Sequence, residues 1–135
     1  MHPATQELRR QLDMLYSLYE LALDMCKTLP LDDADAMNKR LHERQRLLRK
    51  TEAIAEEAQK SLADYEALRS LPANEKALIS EKRQMILDLL GRMCDVENTM
   101  LKAMHTRMVG LRRELMGVNG RQKAIHAYRA APALA

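Results

Sequence analysis

The chain has 135 residues, 47% of them hydrophobic and 30% charged, with a net charge of +3. Only eight positions are Gly or Pro, and ten Met stand beside no Phe or Trp, which excludes a collagen-like or disordered chain and argues against a sheet. Leu, Met and Ala enter helices at little entropic cost, so the expected fold class is all-α, in one domain over residues 1–135.

No apolar run approaches the roughly 18 residues of a membrane span, and "MHPATQELRR" lacks the apolar stretch of a signal peptide. A cytoplasmic protein without membrane insertion is expected. Cys26 and Cys94 match no paired-ligand spacing and read as reduced thiols. Charge is uneven: residues 1–100 hold 15 Lys/Arg against 18 Asp/Glu, a balance of −3, whereas residues 101–135 hold 7 against 1, a balance of +6.

The first helix is read over about 5–29. Leu8, Leu12, Leu15, Tyr19, Ala22, Cys26 and Leu29 recur at alternating steps of four and three, the seam of a helix packed lengthwise on another. Met14, Leu18, Leu21 and Met25 form a second stripe, expected to touch a second neighbour. Pro30 ends this helix, and Asp32 and Asp33 are candidate N-caps for the next. The second helix, about 33–68, repeats the seam at Met37, Leu41, Arg44, Leu48, Thr51, Ala55, Ala58, Leu62 and Tyr65. Arg44 is the polar exception, read either as pairing with a carboxylate on a neighbouring helix or as a partner contact.

"RSLPANEK" turns the chain, with Pro72 and Asn74 as start signals for a third helix over about 73–117. Its seam runs through Ile79, Ile86, Leu90, Met93, Glu97, Met100, Met104, Met108, Leu111, Leu115 and Val118. Asn119-Gly120 suits a left-handed helix stop, and "RQKAIHAY" then offers a short amphipathic segment at about 120–129.

At 1.5 Å per residue these helices span roughly 36, 54 and 67 Å, so an elongated antiparallel three-helix bundle, up-down-up, cannot be flush. Counting back from the turns puts Cys94 level with Met14 and Arg107 to Gly110 level with the first connection. The apolar side chains beyond then need cover. Leu111, Leu115, Met116, Ile125 and Tyr128 are therefore candidate partner-binding residues, joined by Met104 and Met108 from the adaptable methionines lining the second half of the third helix, and a second copy could bury the overhang as readily as a partner. Arg112, Arg113, Arg121 and Lys123 form the candidate basic patch.

Catalytic signals are absent from the spacing. His2, His42, His105 and His126 are scattered, "HERQR" lacks the second histidine of a zinc-protease helix, and no Gly-rich phosphate loop occurs. The chain is read as a non-enzyme without cofactor or metal. Direct nucleic-acid binding is disfavoured, because no aromatic side chains interleave the basic ones. The alternative these residues leave is a basic-tailed helical DNA-binding or regulatory adaptor.

The N-terminal "LDMLYSLYELALDMC", the "LHERQRLLRK" of the second helix, the long third helix and the closing "GRQKAIHAY" together resemble the flagellar export chaperones of the FliT and FlgN type. The likeness runs along most of the chain, although its motifs are short. It implies a cytosolic chaperone that binds the C-terminal helical segment of a late export substrate, a filament-cap or hook-filament junction protein, and delivers it to the type III export apparatus. It also implies that Arg121 to Tyr128 form the regulated element, with Ile125 and Tyr128 at the family's terminal apolar positions.

Overall fold

The computed structural model describes the backbone of residues 1–130 and the side chains of residues 1–110, 112 and 113. Among these residues the chain is helical, with no strand: α1 (Pro3–Lys27), α2 (Ala34–Glu66) and α3 (Ala73–Ala130). It divides into two units, Met1–Asn98 and Thr99–Ala135. No described helix is long and apolar enough to cross a membrane.

The helix ends follow local chemistry. The Thr28 backbone N–H and hydroxyl both donate to the Asp24 carbonyl, at 3.1 and 2.8 Å, closing α1 before Pro30. Asp33 accepts from the Ala36 N–H at 3.1 Å and starts α2, satisfying one of the donors a helix start leaves unpaired. At the start of α3 the Pro72 carbonyl accepts from the N–H groups of Glu75 and Lys76. The helical assignment of α3 runs to Ala130, through the positions of the segment expected at 120–129. Glycine costs a helix about 1 kcal/mol without forbidding it, so Asn119-Gly120 permits a stop and does not compel one.

In unit 1 the period of the apolar residues predicts the core. Leu8, Leu12, Leu15, Ala22, Cys26 and Leu29 of the first seam are buried, as are Ala58 and Tyr65 of α2 and Ile79, Ile86 and Met93 of α3. The second face of α1 differs from the expectation. Met14 and Leu21 are 39% and 50% exposed, while Thr5, Gln11 and Leu23 are buried. At about 100° per residue, Met14 and Leu21 stand well round the helix from the Leu8–Cys26 seam, whereas Thr5 and Leu23 flank it. Leu23 packs with Ala22, Leu89 and Met93 in one cluster.

Polar ties set the register. The Thr5 hydroxyl donates to Glu75 Oε2 at 3.0 Å, and the His2 N–H donates to Glu75 Oε1 at the same distance. Lys82 forms an ion pair with Asp13. Arg44 pairs with Glu97 and donates from Nε to the Ala22 carbonyl at 2.9 Å. Ala22 is thus joined to Glu97 through one side chain, and Cys94, one turn earlier on α3, belongs near this level. The expectation that Cys94 stands level with Met14 is corrected by about two helical turns. The count behind it set residues equidistant from a turn at one level, whereas the ties begin α3 beside the first turn of α1.

Glu75 is 6% exposed, so its carboxylate exchanges water for the Thr5 hydroxyl and a backbone N–H. A hydrogen bond to a charged group contributes about 1.5–3 kcal/mol. Thr5→Val, which keeps the shape and deletes the donor, is expected to lower unfolding stability by roughly that amount in urea titrations followed by circular dichroism; an unchanged midpoint would show the tie to be dispensable.

The two cysteines are free, Cys26 buried and Cys94 exposed. Burial pushes the Cys26 thiol above its usual range; the Glu97 carboxylate adds to the rise and the Arg44 guanidinium opposes it. A raised pKa leaves less thiolate at a given pH, and thiolate is the reactive form. In native protein near pH 8, iodoacetamide is expected to modify Cys94 at least about tenfold faster than Cys26, with the difference abolished in denaturant.

Candidate functional site

Unit 1 carries a groove of about 260 Å³. It is lined by Leu8, Leu12 and Leu15 of α1, by Ala55, Ala58 and Leu62 of α2 and by Ile86 and Leu87 of α3. Gln59, Arg83 and Tyr19 also line it. An apolar cavity of about 150 Å³ accepts a benzene molecule, so this groove has room for a large apolar side chain or two small ones. Leu87 is 60% exposed at its edge.

Arg83, which lines the groove, pairs across to Glu66 of α2 at 3.9 Å. The phenol of Tyr19 titrates above its usual range, first because burial disfavours the phenolate and then because Glu52 is near. The site is therefore an apolar trough with sparse polar groups, suited to binding by shape and burial. No cluster of three or more His, Cys, Asp or Glu residues among the described residues is placed to hold a metal ion.

The candidate partner-binding residues of the sequence fall on α3. Met104 is half-buried and Met108 is 52% exposed. Arg112 and Arg113 of the basic patch are exposed. The side chains of Leu111, Leu115, Met116, Arg121, Lys123, Ile125 and Tyr128 lie outside the described ones. Leu87 and Leu101, 60% and 61% exposed, were not among the candidates. Their signal is legible, since Leu87 and Leu101 are fourteen residues apart and Leu101 and Met108 seven, a spacing that keeps residues near one helix face.

Arg44 proves to be a structural tie. Its side chain is 11% exposed, with the Glu97 side chain at 35%, and the sequence alternative of a partner contact is not needed to account for it. Removing one partner strands the other charge in a half-buried setting, which is costlier than removing both. Arg44→Met and Glu97→Gln are each expected to lower stability by about 1–3 kcal/mol and the double variant by less than their sum; strict additivity in the urea midpoints would show that the two do not interact.

Searches against family models, curated proteins and solved structures found no match to this chain.

Proposed function

We propose that this protein is a substrate-specific chaperone for flagellar type III export, which holds an amphipathic helical segment of a client and keeps it from self-association in the cytosol. The observation that carries the reading is the apolar groove of unit 1, lined by Leu8, Leu12 and Leu15 and by the exposed Leu87. Helix-in-groove recognition asks for such a furrow, filled by client side chains at three-four spacing. The resemblance to the FliT and FlgN chaperones supplies the client class, the C-terminal segment of a filament-cap or hook-filament junction protein, and delivery to the export apparatus. Two sequence features support it as well: a methionine-rich α3, whose side chains adapt to different contours, and the absence of a catalytic constellation from the spacing.

The architecture within this reading is an up-down-up bundle. Contacts that rise along α1 and α3 together, from Thr5 and Glu75 to Asp13 and Lys82, support it; so does the opposite order on α2, where Arg40 reaches Thr28 and Arg44 reaches Ala22. The surface through Met104, Met108, Leu111, Leu115, Met116, Ile125 and Tyr128 extends the same reading, with Arg121 to Tyr128 as its regulated element.

Titration of the purified chain with C-terminal segments of filament-cap and junction proteins, followed calorimetrically, is expected to give one-to-one binding to one of them. Leu87→Glu is expected to weaken that binding at least about tenfold while leaving the helical signal intact, because it sets a charge at the edge of a desolvated contact. No binding to any such segment would sink the chaperone reading, and full affinity in Leu87→Glu would remove the groove from it.

A further inference from the structure

We propose that the described part of unit 2 is a docking face for an acidic amphipathic helix of a partner protein. From Thr99 to Arg113 the chain holds four basic residues, Lys102, Arg107, Arg112 and Arg113, and no acidic one. Lys102, Arg112 and Arg113 are exposed. So are two large apolar side chains in the same stretch, Leu101 at 61% and Met108 at 52%.

The helical repeat puts these residues into one pattern. At about 100° per residue, Leu101, Met108 and Met104 fall within an arc of about 60°. Arg112 lies about 20° beyond Leu101, with Lys102 and Arg113 further round that side, and Arg107 flanks the arc on the Met104 side. An apolar stripe bordered by the exposed cations Lys102, Arg112 and Arg113 is complementary to a helix whose apolar stripe is bordered by carboxylates. Burial of the stripes supplies affinity; the flanking charges select the sign of the partner and raise the association rate.

The other anionic surfaces fit less well. Nucleic acid would leave the apolar stripe facing water and would find no aromatic side chain in this stretch to stack on. A lipid surface is gripped by a broad face of large apolar side chains, and the described part of this stretch exposes two, Leu101 and Met108. The inference rests on the client-holding reading and adds to it the charge of the segment held.

The test uses the full chain and two synthetic helical peptides, with Leu at heptad positions a and d and either Glu or Lys at e and g. Anionic phosphatidylglycerol vesicles and a random DNA duplex serve as competitors. The Glu peptide is expected to bind at least about tenfold more tightly than the Lys peptide at low salt, with the gap closing as salt screens the charges. The triple variant Lys102→Glu, Arg112→Glu, Arg113→Glu is expected to remove or invert the preference, and the pair Leu101→Ser, Met108→Ser to weaken binding of the Glu peptide. An unchanged circular-dichroism spectrum and urea midpoint separate these effects from misfolding. Equal affinity for both peptides, tighter binding to vesicles or duplex, or a preference untouched by the charge reversal would each overturn the proposal. Cargo segments that bind the triple variant with full affinity would also overturn it and leave the chaperone reading standing. A wild-type chain that takes the Glu peptide but no cargo segment supports the docking face and removes the flagellar client.

Discussion

One arginine joins the three helices of unit 1 and constrains how they can slide. Arg44 of α2 donates to the backbone of α1 at Ala22 and to a carboxylate of α3 at Glu97. Leucine seams alone are tolerant of register, because a shift of one heptad sets leucine against leucine again. A half-buried guanidinium is not tolerant, since sliding it away from its acceptors leaves a charge without partners. Thr5 with Glu75, and Asp13 with Lys82, repeat the constraint along the same pair of helices. Polar ties thus specify the alignment and apolar burial supplies most of the free energy.

That alignment produces the groove. With the helices held in register, the small Ala55 and Ala58 line the space beside Leu8, Leu12 and Leu15, with Gln59 and Leu62 of the same helix also at its wall. A client helix that filled it would complete a fourth layer of side chains over α1, the same burial that stabilises the bundle itself.

The two candidate surfaces differ in physical character. The groove of unit 1 is apolar, with Arg83, Gln59 and Tyr19 as its polar groups. The face of unit 2 is charged, with exposed Leu101 and Met108 set among Lys102, Arg112 and Arg113. On the proposed reading, the first would select by volume and the second by sign, and together they would discriminate among amphipathic helices that share a common apolar spacing.

Fold class was legible before any coordinates, because a Leu, Met and Ala composition with a three-four apolar period has one economical solution, helices packed along their seams. The caps were legible at Asp33 and Pro72 for equally local reasons. What required tertiary structure was everything set by the relation of one helix to another. Leu23, Thr5 and Gln11 are buried in place of Met14 and Leu21, because the direction from which α3 approaches α1 is not written in the period of α1. The relative level of α1 and α3 was decided by Arg44, Lys82 and Thr5 finding acceptors on other helices. Hydrophobicity is a property of one residue and can be read along a line, whereas a hydrogen bond or a groove needs two surfaces at a fixed distance, and only the folded chain sets that distance.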